Sequence, residues 1–429
     1  MHNFPILAPF FEYNSNLCIV HFAGFDFGPI FECLGSSLTK CSDSQLKRFS
    51  VTGCRITDEQ AAVLVKSLFR MRQLLEFNFY DNKIESMKLT CRALAKLLKK
   101  PSSELLRLDI SNNAFPGRND CGLDDDCLVS LSEGLRKNMA LTHLNINGVS
   151  TITVIGWRAL SASCSAKRLI LGGCGISDDG VACLGDCLAD NGELKYLSIG
   201  EVEAITSAGW RRFFTWTRTS FLKEMELYNC NIDDDGAHVI ASALTENTSV
   251  KRIHLGNNPS ITSAGWIAFF TVLLNGNHSI EEVDIDLESA SNKQGIWNAL
   301  SLALCDKSSI GRIHSSNHRL HKLRSYSSRG QSDVKLLLKM NENHDKAEVA
   351  RQKILKYHFS GGNTNMNEFS RLPESLMPHA LAWIGRRVYS WIGSKTHGYS
   401  VMYNVIQSSP TLVGNHNSEL HAGVKKRKR

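Results

Sequence analysis

Charged and aromatic side chains recur at alternate positions in short segments of the chain that lie about 28 residues apart. Tyr and Arg are the residue types that most often contribute binding energy in protein interfaces. Carboxylates dominate the set, so together the segments would form an acidic patch with an aromatic ring and an Arg inside it. The alternative is that each is simply a solvated strand residue. The candidate partner-binding residues are Tyr196, Glu224, Glu226, Tyr228, Arg252, His254, Glu282, Asp284 and Asp286.

The sequence lacks the motifs that build common catalytic sites. It contains no G-x-x-x-x-G-K-[ST] phosphate loop, no G-x-S-x-G elbow, no H-E-x-x-H and no paired C-x-x-C. His314, His318 and His321 have a spacing that could bind a metal on a helix, but neither cysteine nor carboxylate accompanies them, which favours solvated histidines. We therefore expect no catalytic residue, no metal and no cofactor.

The last five residues are all basic, and the formal net charge of +7 reflects an excess of Lys and Arg in the C-terminal part of the chain. Such a tail could act as a nuclear import signal or bind phosphate groups, although short basic tails also occur without a role. Nucleic acid is not expected as the main ligand, because no aromatic residues alternate with the basic ones. The candidate targeting residues are Lys425, Lys426, Arg427, Lys428 and Arg429.

The elements that would position these residues follow from a repeated pattern, L-x-x-L-x-L-x-x-N/C-x-I with conservative swaps. Alternating apolar residues in each copy predict a short half-buried strand. The residues that follow, such as 181–188, have the three- and four-residue spacing of a helix with one buried stripe. Acidic clusters at 124–126, 178–179 and 233–235 predict N-terminal capping of these helices. The copies begin at Leu17, Leu46, Leu74, Leu105, Leu141, Ala166, Leu194, Leu222, Val250, Ile280 and, weakly, Ile310.

Two further regularities accompany the repeat. A small polar residue at a fixed offset after the strand can turn inward and bond the backbone of a neighbouring coil, so the cysteines in this position are expected to be structural. An I-T-x-x-G-W motif at 152–157, 205–210 and 261–266 marks every second copy, so the unit is a pair of repeats of about 56 residues. The small polar residues are Cys54, Asn82, Asn113, Cys174, Cys230 and Asn258.

The succession of strand, turn and helix, with two alternating repeat types, resembles the leucine-rich repeats of the ribonuclease-inhibitor class over residues 17–318. The resemblance implies an α/β solenoid, a horseshoe of about eleven repeats with a parallel sheet on the concave face and helices outside. A single coil cannot bury its apolar face, and stacked coils can, so the residues support the same fold. The candidate partner-binding residues would then lie side by side on the concave face.

The domain boundaries follow from where the repeat begins and ends. We expect an N-terminal cap at 1–16, the horseshoe at 17–320, a linker at 321–333, a mostly α-helical C-terminal extension at 334–400 and a disordered basic tail at 401–429. Apolar residues within 372–391 predict a short amphipathic helix, which could cap the last coil, bind a partner or lie on a membrane surface.

These observations favour a non-catalytic scaffold whose concave face binds a partner protein that the sequence does not identify. One alternative is a GTPase-activating protein of the Ran type, which resembles these repeats but typically has an acidic tail where this chain has a basic one. Another is a nuclear protein that contacts nucleic acid through the tail. No apolar run of about 18 residues is present to span a membrane. We expect a monomeric intracellular protein, cytoplasmic or, if the tail directs import, nuclear.

Overall fold

The computed structural model describes residues 16–28, 45–82, 84–113, 122–149, 152–190, 192–214, 221–288, 290–325 and 331–357. Within these ranges, eleven strands form a single parallel sheet whose spatial order is the order of the chain. This confirms the predicted solenoid. The strands are β1 (Ile19–Ala23), β2 (Arg48–Thr52), β3 (Glu76–Tyr80), β4 (Arg107–Asp109), β5 (His143–Asn145), β6 (Arg168–Ile170), β7 (Tyr196–Ser198), β8 (Glu224–Glu226), β9 (Arg252–His254), β10 (Glu282–Ile285) and β11 (Lys322–Ser325).

The helices lie outside the sheet, and each packs against the helices of the adjoining repeats. None of the helices in the described ranges is long and apolar enough to cross a membrane. They are α1 (Asp58–Ser67), α2 (Lys88–Lys99), α3 (Asp125–Leu135), α4 (Val154–Ser161), α5 (Asp178–Asp190), α6 (Ser207–Phe213), α7 (Asp234–Leu244), α8 (Ser263–Gly276), α9 (Lys293–Leu304), α10 (Ile310–Ser315), α11 (Ser332–Asn341) and α12 (Lys346–Tyr357).

The core runs between sheet and helices along the whole arc. Equivalent apolar residues of successive strands are paired in register, for example Leu197 with Met225 and Met225 with Ile253, and all three are buried. Each such side chain contributes roughly 1.5–3 kcal/mol when removed from water. The alternate residues of the same strands point the other way, to the concave face.

The small polar residues predicted after the strands perform the expected role. The Asn258 side chain accepts hydrogen bonds from the backbone N–H of Cys230 at 2.9 Å and donates to the carbonyl of Leu227 at 2.9 Å, and it is buried. The Cys230 thiol donates to the carbonyl of Ile199, one repeat further back. These bonds satisfy backbone groups that neighbouring coils leave unpaired.

The prediction for the eleventh copy was wrong. Helix α10 begins at Ile310, and the strand comes later, as β11, which pairs with β10. The physical reason is Asn317, a buried side chain whose oxygen accepts from the backbone N–H of Leu320 at 2.9 Å and whose amide donates to the carbonyl of Asn277 at 2.8 Å. The expected linker 321–333 therefore begins with a strand of the sheet.

The chain continues beyond the sheet with two helices that pack on the last repeats, α11 against α9 and α12 against α10. Val334, Leu337 and Val349 are among their buried residues. Residues 1–15 of the expected N-terminal cap, the predicted helix at 372–391 and the basic tail with its targeting residues lie outside the described residues.

Candidate functional site

The candidate residues belong to four neighbouring strands and the turns that follow them. Tyr196 lies on β7, Glu224 and Glu226 on β8, Arg252 and His254 on β9, and Glu282 and Asp284 on β10; Tyr228 and Asp286 come just after β8 and β10. Parallel pairing places the first residues of the four strands in one row, and the residues two positions later in a second row. Adjacent strands lie about 4.8 Å apart, so neighbouring side chains in a row are within contact distance.

The first row contains an ion pair between Glu224 and Arg252. Nη2 of Arg252 donates to Oε2 of Glu224 at 2.5 Å. Burial on its own would raise the pKa of Glu224, but the hydrogen bond and charge of Arg252 outweigh it, and the pKa lies below its ordinary value. Both groups therefore stay charged at neutral pH.

His254 lies in the second row, between carboxylates on either side. Its Nε2 is 3.4 Å from Oε1 of Glu224, and its Nδ1 is 3.5 Å from Oδ2 of Asp284. Asp284 raises the pKa of His254, and Glu226 and Glu224 add to this effect against the opposing effect of burial. The local field thus favours a positive charge at this point.

Tyr196 is buried and makes its polar contacts within the protein. Its hydroxyl donates to Oε2 of Glu226, and the guanidinium carbon of Arg168 lies 3.4 Å from the centre of its ring. Burial, together with the Glu226 carboxylate, raises the pKa of the hydroxyl above its ordinary value. Arg168 thus covers the ring, and the hydroxyl holds Glu226 in place.

Glu282 is also buried, because two cations of β11 cover it. Its Oε1 is 2.6 Å from Nε of Arg324 and 3.1 Å from Nζ of Lys322. These cations, with Arg168 and Arg252, offset the carboxylates, so the surface carries mixed charge where the sequence led us to expect an acidic patch. Arg324 lies in the segment that we expected to be a linker, which is why its contribution was missed.

A cleft of about 350 Å³ opens on this surface. The Tyr228 ring, 39% exposed, forms part of its wall beside Glu226, His254 and Asp284. Asp286 lies just outside and accepts a hydrogen bond from the backbone N–H of Glu288, which stabilises the turn. The complete lining is Asn147, Gly172, Ser198, Gly200, Glu201, Glu226, Tyr228, His254, Asp284 and Arg324.

One signal in the sequence could have located Arg324. Several strands are preceded by an apolar residue two positions before they begin, with an Asn three residues before that apolar residue, as in Asn247 before Val250 and Asn277 before Ile280. The Asn side chain accepts from the backbone N–H of the apolar residue at 2.8 Å. Asn317 and Leu320 repeat this spacing, and β11 follows. The motif therefore marks the start of a strand even where the leucine pattern is weak.

Comparisons with known proteins agree with this architecture. A protein-family model described as Leucine Rich repeat matches residues 165–185. The mouse protein named NACHT, LRR and PYD domains-containing protein 14 is 23% identical over 58% of this chain, and mouse protein 5 of the same naming series is 27% identical over 43%. Pig ribonuclease inhibitor is 23% identical over 50% of the chain.

Fold and repeat together define a solenoid of leucine-rich repeats. The chain is a leucine-rich repeat protein of the ribonuclease-inhibitor-like class, as the repeat pattern indicated. The matches span only part of these relatives: 24% of mouse protein 14, 16% of mouse protein 5 and 46% of the pig inhibitor.

Proposed function

We propose that the protein is a non-catalytic scaffold that binds a partner protein through the concave face, at the cleft beside Tyr228. The observation that carries this proposal is the cleft itself, which combines an exposed aromatic ring with carboxylates and a guanidinium. Aromatic rings and Arg side chains supply most of the binding energy in protein interfaces.

The concave face has the size and rigidity that a protein interface requires. Ten strand-to-strand steps of about 4.8 Å give a surface roughly 48 Å long. A standard interface buries about 1,200–2,000 Å² in total, which such a surface can supply without a change of backbone. Buried hydrogen bonds such as that between Asn258 and Cys230 hold the strands in position before a partner arrives.

Six of the nine candidate residues can be given roles from their exposure and position. Tyr228 is exposed and would contact the partner directly. Tyr196, His254 and Glu282 are buried and would act by positioning their neighbours. Asp284 in the wall of the cleft and Asp286 just outside it would form polar contacts with basic groups of the partner. The pig relative is, by its name, an inhibitor of ribonuclease, and its likeness is consistent with action on another protein.

The test is affinity capture of the full chain from cells that naturally express it, followed by identification of the bound protein and measurement of its affinity. Tyr228→Ala combined with Asp284→Arg should weaken binding by at least tenfold, equivalent to about 1.4 kcal/mol. Leu302→Ala combined with Asp235→Arg makes matched changes at exposed positions on the outer helices α9 and α7, and should leave the affinity unchanged. Equal losses in both double variants would contradict the proposed surface.

The two alternatives predict different measurements. A GTPase-activating protein of the Ran type would stimulate GTP hydrolysis on a panel of small GTPases, whereas a scaffold would leave hydrolysis at its basal rate. Binding of nucleic acid through the tail would show steep salt dependence and would disappear on deletion of 425–429. We also propose that the protein acts inside the cell. The same deletion tests whether the tail directs nuclear import, because loss of the protein from the nucleus would assign import to the tail.

A further inference from the structure

Three side chains on the concave face are arranged as a ligand set for a metal ion. Glu224, Glu226 and His254 each offer one ligand atom, and these atoms lie within 4.8 Å of one another. Strand register brings them together, because β8 supplies both carboxylates and β9 places His254 directly opposite Glu226. No local sequence motif contains this set, since His254 lies a whole repeat away from the two carboxylates.

The imidazole of His254 provides the second observation. The residue is 9% exposed, and its Nε2 is buried without a hydrogen-bond partner among the described residues. A buried polar atom left unsatisfied costs about 1–3 kcal/mol. Nε2 faces the carboxylate of Glu224, so the unsatisfied lone pair or proton points into the ligand set.

The separation of the two atoms fits coordination better than a hydrogen bond. Nε2 of His254 and Oε1 of Glu224 are 3.4 Å apart. Nitrogen and oxygen in a hydrogen bond are usually about 2.7–3.2 Å apart. Two ligands of a tetrahedral ion with bonds of about 2.1 Å are separated by about 3.4 Å. The ligand atom of Glu226 lies within 4.8 Å of the other two, so Glu226 would have to move towards them to complete the set.

Residues behind the ligands supply the support that metal sites usually have. Asp284 lies 3.5 Å from Nδ1 of His254, on the side of the ring away from Glu224. A carboxylate on that side is common behind a metal-binding histidine, where its charge raises the basicity of the ring. At 3.5 Å, Asp284 would have to move closer to form the hydrogen bond that fixes the ring. Arg252 bonds Oε2 of Glu224, which leaves Oε1 facing the histidine. Tyr196 likewise uses only one oxygen of Glu226.

We propose that Glu224, Glu226 and His254 bind a divalent transition-metal ion of the zinc type. One imidazole and two carboxylates suit zinc, cobalt or manganese, whereas calcium and magnesium take oxygen ligands alone. Glu226 and His254 line the cleft, so water can complete the coordination. The site shares Glu226 and His254 with the cleft of the proposed function. Binding of the ion does not require a partner, so a protein that binds no partner could still bind the ion.

The test uses Co²⁺ as a spectroscopic probe on the full chain, with thiols kept reduced. One equivalent should bind with visible bands typical of nitrogen and oxygen ligands, and Zn²⁺ should displace it. His254→Ala should lower the affinity by at least a hundredfold, and Glu226→Gln, which keeps the shape of the side chain, by at least tenfold. His143→Ala alters another concave-face histidine, on β5, and should bind Co²⁺ like the parent chain.

Circular dichroism of each variant separates loss of the ion from loss of the fold. Unchanged Co²⁺ binding in folded Glu226→Gln and His254→Ala would overturn the proposal. So would a strong near-ultraviolet thiolate band, which would assign the ion to cysteines, or the absence of any saturable binding to the parent chain.

Discussion

Asp234 binds Thr262 of the next repeat through both of its carboxylate oxygens. Oδ1 accepts from the backbone N–H of Thr262 at 2.7 Å, and Oδ2 accepts from its hydroxyl at 2.7 Å. Asp178 binds Thr206 in the same way, at 2.7 and 2.6 Å. This contact explains the two alternating repeat types, since one type supplies the Asp and the other supplies the Thr at the start of a helix.

The Asp234 carboxylate occupies the space where a side chain at Gly265 would begin, which accounts for the Gly of the I-T-x-x-G-W motif. Gly265→Ala should push the carboxylate away from Thr262 and lower the free energy of unfolding by about 1–3 kcal/mol. Urea unfolding followed by circular dichroism measures this. Gly311→Ala is the control, because a Cβ there meets no atom within 4 Å. It should leave stability equal or higher, as Ala favours helix. Equal losses in both variants would contradict the steric account.

The sequence predicted the caps only in part. Asp233 caps its own helix by accepting from the backbone N–H of Gly236, as expected for an acidic residue at this position. Its neighbour Asp234 instead serves the following helix, and Asp125 does the same for Thr153. Such a contact depends on the stacking distance between coils, which no pattern within one repeat contains.

The concave surface was likewise predicted only in part from the sequence. Strand alternation correctly placed Glu224, Glu226 and His254 on one face, because the period of two fixes the direction of each side chain. It could not show that Arg324 neutralises Glu282, because the strand that carries Arg324 begins after an irregular insertion. The net charge of the site could therefore be predicted only with knowledge of the register of β11.

Cysteine reactivity should separate the buried Cys164 and Cys230 from the exposed Cys18. Burial raises the pKa of Cys164 to about 11 and that of Cys230 to about 12, so neither forms the reactive thiolate at pH 8. Cys18 is exposed. Brief treatment of the native protein with iodoacetamide, followed by peptide mass spectrometry, should therefore modify Cys18 and leave Cys164 and Cys230 intact. Prior unfolding in urea is the control and should expose all three, whereas rapid native modification of Cys230 would contradict its place in the core.

Lys353 joins helix α12 to the last repeats without a carboxylate partner among its described contacts. Its buried Nζ donates to the carbonyls of Leu304 at 2.7 Å and Asn317 at 3.1 Å, and lies 3.1 Å from Nδ1 of His318. Burial lowers the pKa of Lys353 to about 7 and that of His318 to about 3. The folded protein therefore holds an amine that is half neutral near pH 7.

The consequence is a stability that rises with pH. An unfolded lysine has a pKa of about 10.4, so between about pH 7 and pH 10 the unfolded chain binds a proton that the folded chain does not. The free energy of unfolding should then increase by up to about 1.4 kcal/mol per pH unit in this range from Lys353 alone. Below pH 7 this contribution should level off, because both states are protonated.

Lys353→Met removes the titrating group and keeps most of the apolar stem, so the difference in stability between parent and variant isolates its effect. We expect the variant to have a higher free energy of unfolding than the parent near pH 7, and we expect this difference to shrink steadily as the pH approaches 10. Lys335→Met on α11 makes the same change at an exposed lysine and is the control. Hydrogen exchange of α12 at several pH values locates the effect. A parent–variant difference that does not change with pH would show that Lys353 remains charged in the folded protein, held by the two carbonyls and the histidine.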